Sequence, residues 1–382
     1  MLTSKLPNVG TTIFTRMSQL ANECGAINLS QGFPDFDGPT ELREAVVRHV
    51  LAGHNQYSPM TGLPALREQV AAKLQRFYDR SVSADTEVTI TPGATEAIFC
   101  AVQALIRPGD EAIVLDPCYD SYEPSVELAG GRCVHVALSQ PDFRIDWQRL
   151  AAAITPRTRL IFLNSPHNPS GALIERADLD RLAELIRQRD IYLISDEVYE
   201  HLIYDGVAHA SVLAHEELYA RSFVVSSFGK TYHVTGWKTG YVVAPPALSA
   251  ELRKIHQYVN FCGVTPLQWA LADFMAAQPQ HLDELPAFYQ AKRDLFCDLL
   301  GESRFTFRRA AGTYFQVVDY SAIRPDLDDV AMSEWLTREH GVAAIPVSVF
   351  YQQAPADLRL VRFCFAKQEA TLRQAAERLC AI

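Results

Sequence analysis

The sequence predicts an α/β fold: a mostly parallel central sheet with helices on both faces, joined to a smaller α+β domain. Three observations support it. Short apolar, β-rich runs alternate with helical patterns through the middle of the chain, the arrangement that produces parallel strands covered on both sides. Near residue 280 the alternation stops, and a long helix leads into shorter, mixed elements. The polar residues that stand out fall where the apolar runs end, and open α/β sheets bind ligands beyond the carboxyl ends of their strands.

Residues 64–79 read as a helix with Pro64 near its start, where a missing N–H is tolerated. Residues 87–91 read as a strand and residues 95–106 as the helix after it. Residues 111–115, 158–164 and 191–195 are further strands, with a long amphipathic helix at 176–189 between the last two. Residues 222–226 and 239–244 add two more strands. A helix at 282–300 then leads into residues 304–319, which read as two short strands around Ala311-Gly312. Two helical segments and a strand at 358–363 complete the smaller domain.

The chain has 382 residues, 48% of them hydrophobic, enough for a large core and two domains. We divide it into residues 1–38, an N-terminal arm with part of the small domain; residues 39–281, the large ligand-binding domain; and residues 282–382, the C-terminal small domain. A formal net charge of −10 argues against a nucleic-acid partner. No apolar run is long enough to span a membrane, and the N-terminus lacks the apolar stretch of a signal peptide. The eight cysteines include no C-x-x-C pair, which argues against a zinc site or disulfide framework and for a reducing cytoplasm. The acidic stretch Asp326–Asp329 reads as a solvated face.

Lys230 follows the apolar run at 222–226 among small and hydroxyl residues. Desolvation lowers an ammonium pKa and makes a nucleophilic amine, which can form a Schiff base with a carbonyl cofactor. Ser227 and Lys238 flank it and can hold an anion. Gly93-Ala-Thr-Glu96 joins a strand to a helix, and free N–H groups at a helix start suit a phosphate. Two prolines and a glycine fix the loop 164–171, so Asn168 is held in place to bond a phenolic oxygen. Asp196 follows another apolar strand, where a carboxylate can keep a pyridine nitrogen protonated and the ring an electron sink. Tyr199 can reach the same phenolic oxygen as Asn168. Arg362 lies inside a short apolar strand, and a guanidinium there calls for an anionic partner such as an α-carboxylate. Tyr119 can stack on a cofactor ring. His167 and His233 adjoin these loops and read as neutral residues, at the surface or behind the site. Taken singly, each feature is an ordinary turn, cap, surface or core residue; the polar groups that follow strands in a consistent order with Lys230 join them.

In that order (phosphate turn, Asn-Pro-x-Gly loop, Asp-x-x-Tyr, Ser-x-x-Lys, small-domain Arg) the motifs resemble the class I/II, fold-type I, pyridoxal-phosphate aminotransferases over nearly the whole chain. Residues 30–36 (SQGFPDF) and 57–62 (YSPMTG) resemble the methionine, glutamine and kynurenine branch. The resemblance implies that Lys230 bonds the cofactor and moves the α-proton, that Asp196 pairs with the ring nitrogen, and that Asn168 and Tyr199 bond its phenolic oxygen. Ala94, Thr95, Ser227 and Lys238 would hold the phosphate, and Tyr57 would reach it from the partner of a homodimer. Tyr119 would stack on the ring. Gly32, Asn168 and Arg362 would bind the substrate carboxylate, with Phe14, Tyr119 and Phe261 forming an apolar side-chain pocket.

Lys238 stands where the aspartate-specific branch has arginine. Phe14 and Cys262 stand where kynurenine-type members tend to have tryptophan and histidine. The expected activity is therefore ping-pong amino transfer from an apolar or aromatic L-amino acid, methionine first, with phenylalanine, tyrosine, kynurenine and glutamine as further donors, to a 2-oxo acid. A carbon–sulfur β-lyase using the same cofactor is the alternative, and a non-catalytic regulator of the same fold ranks below it. A nicotinamide dehydrogenase lacks support, since no G-x-G-x-x-G joins a strand to a helix.

Overall fold

The computed structural model describes residues 3–382. In chain order its strands are β1 (Ile27–Asn28), β2 (Val88–Thr91), β3 (Glu111–Asp116), β4 (Arg132–Ala137), β5 (Thr158–Asn164), β6 (Tyr192–Asp196), β7 (Ser222–Ser227), β8 (Gly240–Val243), β9 (Phe315–Asp319), β10 (Val342–Ala343), β11 (Ile345–Pro346) and β12 (Leu360–Cys364). Seven of them form the main sheet, in the order β2-β8-β7-β6-β5-β3-β4. Strands β7, β6, β5, β3 and β4 pair in parallel, and only β8 runs antiparallel to its neighbours.

Strand alternation divides the apolar residues between two faces. Ile113, Ile161, Leu193, Val224 and Val243 face one layer, packed with the helices Pro64–Tyr78, Arg176–Ile186 and Thr265–Ala277. Val114, Leu160, Phe162, Ile194, Phe223 and Val225 face the other, packed with the helix Gly93–Leu105. Burial on both sides is why β3 and β7 read as continuous apolar runs rather than alternating ones.

The smaller sheet is antiparallel, in the order β11-β12-β9. The helices His281–Leu300 and Glu369–Cys380 pack on each other beside it. Parallel pairing of β1 with β10 ties the N-terminal segment to this part of the chain, and the helix Ile13–Cys24 packs on Asp329–Glu339. Its core also takes in Tyr199, Leu202 and Tyr204 from the loop after β6, so the two cores meet beside the carboxyl end of the main sheet.

Residues 304–310 differ from the expected strand. Only Thr306 bridges to Asp319. The Gln316 side chain takes the place of a strand neighbour there: its carbonyl oxygen accepts from Ala310 N at 3.1 Å, and its amide donates to Arg308 O at 2.7 Å. The acidic stretch at 326–329 also differs at one residue. Asp329 is buried and accepts from Ser348 N at 2.6 Å and Ser348 Oγ at 2.7 Å, so it ties a loop to a helix start rather than facing water.

Candidate active site

Strands β5, β6 and β7 end side by side, with Asn164 opposite Asp196 and Asp196 opposite Val225. Their ends open on a cavity of about 410 Å³ lined by Ala94, Thr95, Tyr119, Asn168, Tyr199 and Ser227, and by Phe14, Gly32, Asp196, Lys230, Lys238 and Arg362. Asn164 fixes the floor. Its amide donates to Asp196 O at 2.9 Å, and its carbonyl oxygen accepts from Asn168 N at 2.8 Å.

Lys230 sits on a single helical turn, Phe228–Thr231, after β7. Its amine donates to the Tyr314 hydroxyl at 2.9 Å and to Gly32 O at 3.3 Å. Burial lowers its pKa to about 8, with Lys238 and Arg362 pushing in the same direction. A neutral amine is thus accessible near neutral pH, as a nucleophile or base requires.

Asp196 is buried, and burial lifts its carboxyl to about 6. Two donors oppose that rise: the Tyr122 hydroxyl at 2.7 Å on Oδ2 and Val198 N at 3.3 Å on Oδ1. Tyr122 is a site residue that sequence reasoning did not single out. Its ring stacks on Phe162 at 4.6 Å and so looks like core; its place three residues after Tyr119 at a helix start was the available signal.

Arg362 is 1% exposed. It donates to Asn168 Oδ1 at 2.6 Å and to Ser30 O at 3.3 Å. Its Nε is buried without a partner, and its guanidinium lies 3.8 Å from the Phe315 ring centroid and 5.6 Å from that of Phe14. No carboxylate pairs with it among the described residues, and burial brings it down to about 10. A buried cation with a free donor inside an aromatic wall is arranged to receive an anion.

The helix Gly93–Leu105 starts without a side-chain cap, two residues earlier than expected, which puts Ala94 and Thr95 in its first turn. Gly93 has φ +79°, and a Cβ there would lie 3.3 Å from Lys238 Nζ. A Cβ on Gly240 would lie 2.9 Å from Ala94 N and 2.7 Å from Ser226 O. Both glycines keep the backbone close around the helix start. Open N–H groups, the Ser227 hydroxyl and the Lys238 ammonium together form an anion cradle.

A family model described as aminotransferase class I and II matches residues 25–379. The chain belongs to that family. The aminotransferase is 55% identical over 98% of its length to 97% of the methionine aminotransferase of Escherichia coli. A crystal structure from E. coli, reported with a methionine aminotransferase function, superposes with a TM-score of 0.98 at 54% identity over 100% of both chains. A probable N-succinyldiaminopimelate aminotransferase of Mycobacterium tuberculosis is 39% identical, covering 99% of this chain and 98% of that one. Kynurenine–oxoglutarate transaminase 3 of Homo sapiens is 33% identical, covering 98% and 88%. The aminotransferase is accordingly a pyridoxal-phosphate enzyme, and its residues fit that cofactor. The anion cradle, the buried carboxylate of Asp196 and the depressed amine of Lys230 line one cavity.

Two expected site residues lie elsewhere in the aminotransferase. Tyr57 is 84% exposed and Phe261 41% exposed, and their rings meet edge to face at 5.5 Å, outside the chain's own cavity. Phe261 therefore does not join Phe14 and Tyr119 within one chain. It lies just past the helix Pro246–Val259, at φ +76°. Of the two histidines, His167 is buried and His233 half-buried. His167 is buried between Ser170 Oγ at 2.6 Å and Pro117 O at 2.9 Å, and burial lowers its pKa to about 4. His233 meets the Tyr289 hydroxyl at 2.9 Å, and burial lowers it to about 3.

Proposed function

We propose that the chain transfers the α-amino group of an apolar or aromatic L-amino acid, methionine first, to a 2-oxo acid by a ping-pong mechanism. The observation that carries this is the pairing of Lys230 with Arg362 in one cavity whose substrate end is aromatic. Among the described residues Arg362 is the only arginine of this chain lining it, beside Phe14, Tyr119 and Phe315. One guanidinium suits one carboxylate, so a side chain without a second carboxylate fits best. The methionine aminotransferase identity of the E. coli relatives supports the same donor.

When bound, pyridoxal phosphate supplies an electron sink for the amino acid's α-carbon. In our reading Ala94, Thr95, Ser227 and Lys238 grip the phosphate. Asp196 holds a proton on the ring nitrogen, while Asn168 and Tyr199 bond the phenolic oxygen. Tyr119 covers the ring. Arg362 and Gly32 orient the substrate carboxylate, and Arg362 also orders Asn168 through their shared bond. Lys230 would anchor the cofactor, and its amine, once free and neutral, would carry the proton from the substrate's α-carbon to the cofactor carbon two bonds away. Tyr57 and Phe261 complete the partner subunit's site in a homodimer, which accounts for two exposed aromatics held together.

The test is a half-reaction. L-Methionine added to the purified protein without an acceptor is expected to convert the visible cofactor band and release about one 2-oxo acid per site. The Lys230→Ala variant should fold and lose turnover. A band that ignores methionine and phenylalanine but responds to a dicarboxylic amino acid overturns the donor assignment. Near-native turnover in Lys230→Ala overturns the mechanism.

A further inference from the structure

We propose that Tyr314 is a positioning residue for the reaction: its hydroxyl, fixed on the Gly32 carbonyl, holds the Lys230 amine whenever that amine is not bonded to the cofactor. The proposal rests on the reading of Lys230 given above. The Tyr314 hydroxyl bonds Gly32 O, and only the phenol can donate there because a carbonyl cannot. The phenol oxygen must then accept from Lys230, at 2.9 Å. The second Lys230 hydrogen bond goes to the same Gly32 carbonyl at 3.3 Å. A neutral amine has two N–H groups and one lone pair. Both N–H groups are taken by oxygens, and the lone pair is left free to accept a proton.

The surrounding chain holds Tyr314 firmly. Thr313, just before it, has φ +64°, a genuine outlier for a β-branched residue and the kind of strain that clusters at functional positions. Three bonds retain it there: Thr313 N donates to Leu202 O at 2.9 Å, Thr313 Oγ1 accepts from Phe315 N at 3.1 Å, and the Tyr204 hydroxyl donates to Thr313 O. Tyr314 O accepts from Phe365 N at 2.9 Å. Gly32 is constrained too, since a Cβ there would lie 2.7 Å from Phe315 Cζ. The ring of Tyr314 packs against Tyr199 at 5.2 Å, Tyr289 at 5.8 Å and Phe315 at 4.9 Å. Removing only the hydroxyl therefore leaves the ring packing in place.

The experiment uses the full-length Tyr314→Phe protein beside the unaltered one. In the cofactor-free form, acylation of Lys230 is followed by mass spectrometry from about pH 6 to about pH 10. The charged and titratable groups facing the amine (Cys364, Lys238, Arg362, Asp196 and Tyr199) are the same in both proteins. Loss of an acceptor that favours the ammonium form is expected to lower the midpoint by about one unit. In the loaded enzyme, the single-turnover rate with L-methionine is expected to fall about 10- to 100-fold, with little change in substrate affinity. An unchanged midpoint with an unchanged rate overturns the proposal. So does an unchanged midpoint with cofactor uptake and melting temperature falling alongside the rate, which marks Tyr314 as structural only. Lys230→Ala separates the two levels: a covalently bound cofactor in that variant defeats the reading of Lys230 and the role of Tyr314 with it, whereas failure of Tyr314→Phe alone leaves Lys230 in place.

Discussion

Replacing Tyr122 by phenylalanine removes one oxygen and tests how Asp196 is kept ionised. The Tyr122 hydroxyl is the shorter of the two donors to the carboxylate, at 2.7 Å against 3.3 Å from Val198 N. Phenylalanine keeps the stack on Phe162 and the edge contact with Tyr119 at 5.8 Å. A hydrogen bond to a charged group contributes about 1.5–3 kcal/mol, which corresponds to roughly one to two pKa units. Burial already lifts the Asp196 carboxyl to about 6. Without the phenol it should titrate near about 7 to about 8 and be half or more protonated in the cofactor-free protein at neutral pH. A ring nitrogen that needs a carboxylate partner then meets a carboxylic acid. Cofactor affinity should fall roughly twofold to tenfold at about pH 7, and the difference should close by about pH 9. The assay is a titration of cofactor-free protein with pyridoxal phosphate at several pH values, read by the visible band. A loss of affinity that is the same at every pH, or no loss, refutes the argument that Tyr122 acts through the ionisation of Asp196.

Arg362→Ala should lower kcat/KM for amino and oxo acids by roughly 10²- to 10³-fold while leaving cofactor affinity within about threefold; equal losses in both count against its carboxylate role. Mixing Tyr57→Ala subunits with inactive Lys230→Ala subunits should restore turnover, since each mixed dimer then holds one site with an intact lysine and an intact tyrosine from its partner. No gain on mixing places Tyr57 outside the partner's site. The melting temperature gained on adding the cofactor should be greatest between about pH 6 and about pH 8, measured by calorimetry; a gain that is flat with pH contradicts the electrostatic argument below.

The main sheet was legible because its strands are buried on both faces and read as unbroken apolar runs between helical patterns, β5 to the residue. Boundaries moved where local chemistry competed: the helix at Gly93 begins two residues early because a glycine at positive φ leads into it. The segment 304–310 misled because its β-like composition is satisfied by the Gln316 side chain rather than by a strand. At the candidate site, Lys230, Asp196 and Asn168 stood out as polar groups after apolar runs, and Arg362 as a charge inside one. Tyr122 and Tyr314 did not. An aromatic inside an apolar pattern reads as core, and in both cases the ring is core while the hydroxyl bonds Asp196 or Lys230. Tyr57 and Phe261 are a third kind. Their motif or loop position was readable, but a single chain leaves them exposed against each other.

The site works against the stability of the cofactor-free fold, and the directions of its shifts show where. Lys230 falls from 10.5 to about 8, so the cost of burying its charge is full below about pH 8 and fades as pH rises toward 10.5. Asp196 rises from 3.8 to about 6, so its cost is full above about pH 6 and fades as pH falls toward 3.8. Between those two values both costs are present, each on the order of 3 kcal/mol. The two groups attract each other, yet not enough to restore ordinary values, because burial dominates both shifts; Lys238 and Arg362 push the amine further down by adding positive charge to the same cavity. That excess is what a phosphate and a carboxylate neutralise. In that pH window the empty site carries both a buried ammonium and a buried carboxylate, the two groups our reading assigns to the cofactor. The strain in the fold and the chemistry of amino transfer arise from the same buried charges.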